Sequence, residues 1–419
     1  MLRPQLRQQL KQNIGHLVRK DPVFSLLPGG GGIIGGAHTR AGTAGYMDSN
    51  GVWRYAATDE LRYDYLYGGG LPGYLIERAN TNEILHNCDL SNVAWVAGNA
   101  TKGSNVAACP DGTTDMDSII EDSSAGVQHY VEQTVSYASA KLLYCDSFFV
   151  RPKGRTACRI IINKGSPSGV FFDLTGAGAV GDTIGGAVAN IQRLADTDVY
   201  HCTIIWGNAA TGSAALRIGG ATGTSIGDET YDGAGTTAIE VWGAQHEAGL
   251  FSSMIKTTTA PVTRGADAVK IDYTAENFPD INTFNVAMDF ILLEWVGYPY
   301  TVGSVYETFP VGANVDAHLV YWTTTNLNFY TADGLGAGVA TLFGFPSTNY
   351  NSRWEFNAKH LNAWMNLAGS VNGSANAASA FAGTGTNLMV NRPDYAVVGS
   401  SRFPCSIKVL SFSLVPELI

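Results

Sequence analysis

Short runs of alternating apolar and polar residues, bounded by Gly, Ser, Asn or Asp, fill the chain between residues 82 and 256. They include HYVEQTVSY, KLLYCDSFFVRP, TACRIIINKG, GVFFDLTG, VYHCTIIWG, AALRIGG and TAIEVWGAQ. Alternation puts successive side chains on opposite faces of a strand, and many short strands without helical periodicity between them are typical of a β-sandwich. The pattern predicts a first sandwich over residues 82–256.

A second series of strand-like runs follows residue 268. It includes AVKIDYTA, TFNVAMDFILLEWVG, HLVYWTT, LNFYTA, RWEFNA and CSIKVLSFSLV. The Thr-rich stretch before it, residues 257–267, is typical of a linker. We therefore expect an all-β chain of two jelly-roll β-sandwiches in tandem, the second over residues 268–419. Within it, SANAASAFAG is interpreted as a short helix or a crossing loop.

Residues 1–20 have a helical pattern, within an N-terminal docking or oligomerisation segment predicted over residues 1–27. Leu6, Leu10, Ile14 and Leu17 form one apolar stripe with a period near 3.6 residues. A helix this short is only marginally stable in isolation. We therefore expect it to dock on its own body, on sister copies or on a larger partner.

The segments after the helix predict a tether. The run PGGGGIIGG, residues 28–36, predicts a flexible hinge. Residues 37–81 are interpreted as an irregular adaptor that contains one hairpin, because Asn50-Gly51 is a tight-turn signal.

Charge is distributed unevenly along the chain. Residues 1–20 hold five basic residues and no acidic one, so the rest carries 21 basic against 36 acidic residues, a net charge of −15. An acidic body disfavours nucleic-acid binding. No apolar run approaches the roughly 20 residues of a membrane span, so we expect no membrane insertion and no secretory leader.

The six cysteines form no CxxC pair. They are interpreted either as small buried hydrophobic residues or as thiols that pair in an oxidising medium.

The stretch AIEVWGAQHEAG, residues 238–249, places His246 beside Glu247. A histidine next to a carboxylate suggests acid–base chemistry, but adjacent strand residues point to opposite faces. The chain has no Gly-x-Ser-x-Gly elbow and no HExxH motif. Asp289 and Glu294 are five residues apart, on opposite faces of a strand, which disfavours a glycosidase pair. The expectation is that the chain is not an enzyme.

One acidic turn is a candidate metal site. Asp228, Glu229 and Asp232 lie in the Gly-rich run IGDETYDGAG. Hard oxygens in such a loop suit calcium, although the spacing is not that of an EF-hand. The alternative is a solvated acidic turn, and we expect no other cofactor.

Several stretches together resemble a known class of proteins. In chain order they are HTRAGTAGYMDSNGVWRYA, GYLIERANTNEILHNCDLSNVAW, CPDGTTDMDSIIED, HYVEQTV, VYHCTIIW and IEVWGAQHEAGLFSSMIKTTTAPVTRGAD. They resemble bacteriophage virion proteins of the tail-fibre or head-fibre type, over roughly residues 38–267. The resemblance implies a carbohydrate-binding-module-like sandwich followed by a concanavalin A-like (laminin-G-like) sandwich. That class carries an aliphatic residue at the position of His246, so we interpret His246 and Glu247 as packing residues at the edge of a sheet.

Aromatic residues in loop-like segments are the candidate sugar contacts, because rings stack on the apolar faces of sugars. These are Tyr298, Tyr300, Tyr350 and Trp354, with core or turn packing as the alternative. The resemblance predicts a tail fibre, spike or head fibre on the outer surface of a virion. It is held to other virion proteins by its helix, displays lectin-like sandwiches for host-glycan attachment, and forms a homotrimer. The alternatives are a decoration protein that binds no sugar and a tailspike-type depolymerase.

Overall fold

The computed structural model describes part of the chain. These residues are 24–27, 30–34, 36–67, 69–138, 143–208, 210–249 and 252–272, followed by the backbone of ten strands between 283 and 416. The predicted docking residues Leu6, Leu10, Ile14 and Leu17 lie outside them. Within these residues, no helical segment has the length and apolar character to span a bilayer.

Strands account for the regular structure of the described residues. The first seven are β1 Phe24–Leu27, β2 Gly32–Ile34, β3 Gly36–Thr39, β4 Ala44–Met47, β5 Trp53–Ala56, β6 Tyr63–Asp64 and β7 Gly73–Ile76. The next sixteen are β8 Asn80–Asn82, β9 Val96–Gly98, β10 Ala100–Ala107, β11 Met116–Glu121, β12 Val127–Gln128, β13 Tyr130–Tyr137, β14 Leu143–Pro152, β15 Ala157–Asn163, β16 Ser168–Asp173, β17 Ala179–Ile184, β18 Val188–Arg193, β19 Tyr200–Gly207, β20 Gly212–Ala221, β21 Thr230–Tyr231, β22 Thr237–Ala248 and β23 Val262–Arg264. The last eleven are β24 Ala268–Asp272, β25 Thr283–Leu292, β26 Val302–Pro310, β27 Asp316–Thr323, β28 Asn326–Asp333, β29 Ala337–Gly344, β30 Arg353–Leu361, β31 Trp364–Val371, β32 Ser374–Ala382, β33 Pro393–Val398 and β34 Ile407–Pro416.

Two antiparallel sheets form the first sandwich. One has the order β10-β11-β22-β14-β19-β18, with β8 paired to β22 and β23 paired to β8, and the other has the order β17-β16-β15-β20-β13-β9. The predicted strand runs between 130 and 248 all lie in these sheets, which confirms the all-β prediction for this region. Their inner faces bury a core of aliphatic and aromatic side chains, among them Ile119, Phe148, Ile160, Phe172 and Ile218.

The outer face of the first sheet is covered as well. A second core contains Trp53, Leu75, Phe149, Leu194 and Trp242. Its N-terminal members belong to the segment predicted to be an irregular adaptor. The predicted hairpin is confirmed: β4 and β5 pair around a turn in which Gly51 has a φ of +72°. The segment packs on the sandwich because its apolar side chains fill the face that the sheet would otherwise expose to water.

Two further sheets combine the N-terminal strands with the C-terminal series. One has the order β2-β1-β34-β25-β30-β31-β32, with β7 paired to β34 and β6 paired to β7, and the other has the order β29-β28-β27-β26-β33-β24-β3. Residues 374–382, interpreted as a short helix or a loop, form a strand paired with β31. Alanine and serine are compatible with a helix, a loop or a strand, so pairing with the neighbouring strand determines the conformation of this segment. The all-β class is confirmed for the described residues, whereas the two tandem jelly rolls stay a prediction.

Two predicted tethers contain paired strands. The predicted hinge, residues 28–36, contributes β2, which pairs with β1, while β1 pairs in turn with β34. The predicted linker, residues 257–267, contains β23, which pairs with β8. Both differ from prediction for the same reason. Gly-rich and Thr-rich runs have weak local preferences, and the backbone groups of a neighbouring strand decide their conformation.

Candidate functional site

The His246–Glu247 pair lies in the middle of a sheet. At these two residues the strand that carries them, β22, pairs with β14 on one side and with β8 on the other, where Glu247 is opposite Asn82. Both side chains are completely buried. The expectation that they are edge-of-sheet residues is wrong, although the expectation that they point to opposite faces is confirmed by their partners, described below.

A bulge at Gly243 changes which residues share a face of β22. The register with β14 shifts there, and Gly243 has a φ of +66°. As a result Val241 and Ala244 both face the core between the sheets, whereas Trp242 faces the outer core. Uninterrupted alternation would have placed Trp242 and Ala244 together, so the alternation predicted for this strand fails at the glycine.

His246 is held in a closed polar and aromatic cluster inside the sandwich. Its Nδ1 lies 2.6 Å from Asp146 Oδ1, and its Nε2 lies 3.2 Å from the carbonyl oxygen of Ser136. The indole of Trp206 donates to the other oxygen of Asp146 at 2.5 Å, and the ring of Tyr144 stacks on the imidazole at 5.0 Å. Both imidazole nitrogens are occupied and the site is sealed from solvent, so this pair cannot take a proton from a substrate.

Glu247 is buried on the opposite face, beside Ser252. The backbone N–H of Ser252 donates to Oε2 at 3.1 Å, and the hydroxyl of Ser252 donates to Oε1. Burial raises the pKa of Glu247 to about 8, and the hydrogen bonds from Ser252 and the charge of Arg264 offset only part of that rise. The carboxyl group is therefore mainly protonated at neutral pH, and its role is to form hydrogen bonds with Ser252 inside the protein.

A buried cluster of charged residues lies where the predicted linker meets the N-terminal strands. This junction cluster consists of His38, Arg40, Arg62, Glu77, Arg264 and Asp267, whose side chains are at most 3% exposed. Asp267 lies 2.9 Å from His38, 3.0 Å from Arg40 and 2.5 Å from Arg62. Burial alone would raise the pKa of Asp267, but Arg62, the hydrogen bond with His38 and Arg264 outweigh burial and lower it. These contacts are internal, so the cluster is structural.

The candidate site for a ligand is a groove at the open side of the first sandwich. Strand β18 is the outermost strand of its sheet, and no described strand pairs with its outer side. Two adjoining hollows, of about 620 and 390 Å³, share Gly69 and the run from Gln192 to Ala195. Such volumes suit a small ligand or a few sugar units.

Several turns and loops that are far apart in the chain line this groove. The turn between β16 and β17 contributes Gly176 and Ala177, and the turn after β18 contributes Asp196. Tyr65 and the β4–β5 turn line the second hollow. The side-chain amide of Gln192 donates to the carbonyl oxygen of Leu66 at 2.5 Å and so ties β18 to the loop that carries Gly69.

Polar groups in the groove are available to a ligand. Arg193 uses its Nε for the carbonyl of Thr197 and one Nη1 hydrogen for the carbonyl of Gly176, which leaves three N–H groups with no hydrogen-bond acceptor among the described residues. Asn190 lines the groove and makes no side-chain hydrogen bond to any described residue. The two hollows together therefore offer donors, acceptors and an aromatic residue, a combination that suits a hydroxyl-rich ligand.

Sequence reasoning did not find this groove. Its walls lie far apart in the chain: Gln192 and Leu66, which close it, are 126 positions apart. The local signal was only the run VANIQR after Gly185-Gly186, which is too polar to be recognised as a core strand. The groove arises from the packing of the N-terminal loop against an edge strand.

The predicted aromatic sugar contacts lie mostly outside the described residues. Tyr298 and Tyr300 lie in residues 293–301, and Tyr350 lies in residues 345–352. Trp354 lies in β30, opposite Phe290 of β25. Their role in sugar binding stays a prediction.

The three residues of the calcium candidate all accept hydrogen bonds from backbone N–H groups. Asp228 accepts from Ser225, Glu229 from Gly227 and Asp232 from Gly126, at 2.7 to 2.8 Å. Among the described residues, no group of three or more His, Cys, Asp or Glu side chains is arranged to hold a metal ion. The geometry gives the calcium site no support, and the site stays a prediction.

Comparison with known proteins gives only distant structural likenesses. No protein-family model matches the chain, and no curated protein matches its sequence. The NanB sialidase from Streptococcus pneumoniae is 12% identical over 36% of this chain and 25% of that chain, with a TM-score of 0.27. The CBM40 domain of the Ruminococcus gnavus IT-sialidase, solved with α2,3-sialyllactose, is 10% identical over 33% of this chain and 78% of that chain, with a TM-score of 0.25. Domains LG4-5 of the mouse laminin α1 chain are 11% identical over 78% of this chain and 96% of that chain, with a TM-score of 0.24.

These neighbours are a carbohydrate-binding module and laminin G domains, together with a sialidase of which this chain spans about a quarter. The identities and TM-scores are too low for any conclusion about the ligand or activity of this chain. None of the three is a bacteriophage protein, so a virion role is a proposal only.

Proposed function

We propose that this chain is a virion surface protein, a tail fibre, spike or head fibre, that attaches to host-surface glycans. The observation that carries the proposal is the groove beside β18: Asn190 lines its first hollow, Tyr65 lines its second, and Arg193 lines both. Sugars are bound by this kind of mixed surface, with hydroxyls hydrogen-bonded and apolar ring faces packed on aromatics.

Attachment through several copies does not need a strong single site. A homotrimer held by the N-terminal helix would present three grooves, and linked weak sites bind with an avidity far above that of one site. The virion part of the proposal is supported by the resemblance of residues 38–267 to fibre proteins. Other virion proteins would be the partners of the helix.

Catalysis is not part of the proposal. The buried acid–base candidates, His246 with Asp146 and Glu247 with Ser252, have no solvent access and have internal partners. A glycan cut by this chain would need a carboxylate pair in a groove.

The test is binding of the full chain to immobilised bacterial capsular polysaccharides and lipopolysaccharide O-chains. Asn190→Ala is the main variant, because that side chain has no hydrogen bond to the described part of the protein that its loss would break. We expect it to weaken binding about tenfold, since a lost hydrogen bond to a ligand costs on the order of 1 kcal/mol per site and the loss is multiplied over linked sites. Lys256→Ala is the control, because Lys256 is exposed and does not line the groove.

Three outcomes would contradict the proposal. If no polysaccharide binds, a decoration protein becomes the better interpretation. If Asn190→Ala binds like the parent chain, the groove is not the sugar site. If the polysaccharide is shortened, with new reducing ends, the chain is a depolymerase.

A further inference from the structure

Two buried cysteines face each other across the core of the first sandwich. Cys158 lies in β15 of one sheet and Cys202 lies in β19 of the other. Both are completely buried in the core between the sheets. The thiol of Cys202 is hydrogen-bonded to that of Cys158.

The strand register supports this juxtaposition independently. Cys202 is directly opposite Phe148 in its sheet, and Cys158 is directly opposite Phe172 in the other sheet. The rings of Phe148 and Phe172 contact each other edge-to-face across the core, with centroids 6.4 Å apart. Directly opposite residues have their Cβ atoms about 5 Å apart. The two cysteines therefore belong to the same layer of the core as the two rings.

We propose that Cys158 and Cys202 form a disulfide that links the two sheets when the chain folds in an oxidising medium, and stay as thiols in a reducing one. With glutathione disulfide as the oxidant, the two thiols lose two protons and two electrons and form one S–S bond. The glutathione S–S bond is cleaved and gives two glutathione thiols. Because the two thiols are hydrogen-bonded neighbours, forming an S–S bond of about 2 Å requires only a local movement of the two side chains.

The time of oxidation follows from burial. Exchange requires a thiolate, and burial raises the pKa of Cys202 well above its ordinary value. Both thiols are also completely buried in the folded protein, out of reach of glutathione disulfide, so the bond has to form before the sandwich closes. A chain folded in a reducing cytoplasm would keep two thiols, and one refolded outside would carry the link.

The other buried cysteines of the described residues lie elsewhere. Cys88, Cys109 and Cys145 belong to the outer core, on the far side of the sheet. Cys145 lies opposite Glu247 and Ile205 in the register of β14. These positions make Cys145 a matched control: it is as deeply buried as Cys202 but is separated from Cys158 by the sheet.

The experiment is refolding of the full chain from denaturant in a glutathione redox buffer, followed by alkylation and tryptic peptide mapping. Trypsin separates the two residues cleanly, because Cys158 lies between Arg155 and Arg159 and Cys202 lies between Arg193 and Arg217. We expect one linked pair that joins these two peptides. The thermal midpoint of the first sandwich should rise by roughly 5 to 10 °C over the reduced protein, as expected for closing a loop of this length.

The variant Cys145→Ala should keep the link, and Cys202→Ala should lose both the link and the rise in thermal midpoint. The natively folded, reduced chain should keep its two thiols in the same buffer. A refolded chain with a native circular dichroism spectrum in which both thiols remain alkylatable, or in which Cys158 joins a different cysteine, would overturn the proposal.

Discussion

Glu247 shows how burial alone changes the chemistry of a residue. Its sequence context, next to a histidine, suggests an ionised carboxylate in an active site. In the structure it is sealed beside Ser252, and burial raises its pKa to about 8 from an ordinary value of 4.5. Between these values the unfolded chain releases a proton that the folded chain keeps. The free energy of unfolding therefore falls as pH rises through this window, by up to about 1.4 kcal/mol for each pH unit.

Glu247→Gln should remove this pH dependence, because the amide keeps the shape and the acceptor for Ser252 but does not ionise. We expect the loss of stability between pH 5 and pH 8 to be smaller by about 3 kcal/mol in the variant than in the parent. Urea unfolding at both pH values measures it. Glu83→Gln, at an exposed carboxylate, is the matched control and should leave the difference unchanged. An equal pH dependence for parent and Glu247→Gln would mean that Glu247 is ionised in the folded chain.

At the scale of the element, β22 depends on one glycine. Gly243 adopts a φ of +66° and shifts the register with β14, so that Trp242 fills the outer core and Ala244 the inner one. A Cβ at Gly243 would lie 3.2 Å from the ring of Phe149, in a backbone region that side chains disfavour. Because of the bulge, β22 contributes side chains to both the inner and the outer core.

Gly243→Ala should therefore destabilise the first sandwich by about 1–3 kcal/mol, from backbone strain and the close contact with Phe149. Gly165→Ala is the matched control: nothing lies within 4 Å of its added Cβ and its φ is not in the left-handed region. Thermal unfolding of both variants decides the matter. If Gly243→Ala unfolds at the temperature of the control, the bulge does not depend on the glycine.

At the scale of the whole molecule, the segments predicted to be tethers are built into sheets. β1 pairs with β34, β3 pairs with β24, and the junction cluster around Asp267 fixes the chain between them. Removing one partner from a buried ionic cluster costs about 3–5 kcal/mol, because the remaining charges lose compensation. The junction cluster therefore links the N-terminal strands to the rest of the described fold.

This arrangement determines where the chain can be shortened to test the predicted trimer. A chain that starts at Ala37 would lose β1 and β2 and disturb a sheet, whereas one that starts at Val23 removes the predicted helix and keeps both strands. We expect light scattering to give a trimer for the full chain and a monomer for the chain from Val23. Equal masses for the two chains, or a monomeric full chain, would contradict the role of Leu6, Leu10, Ile14 and Leu17 in oligomerisation.

The sequence alone was sufficient to predict the all-β class, the strands between residues 130 and 248 and the hairpin at Asn50-Gly51. These features depend on the alternation of neighbouring residues and on turn preferences, which are local and can be recognised in one chain. Exclusion of an acid–base pair at His246 and Glu247 rested on the same local geometry, and the structure agrees with it.

Only the tertiary structure decided the rest. It determined that residues 28–36 and 257–267 contain paired strands, that the alternation of β22 changes at Gly243, and that Glu247 and Asp267 are buried. It also formed the groove at β18 and brought Cys158 to Cys202. Each depends on contacts between residues far apart in the chain, where pairing, burial and charge compensation outweigh weak local preferences.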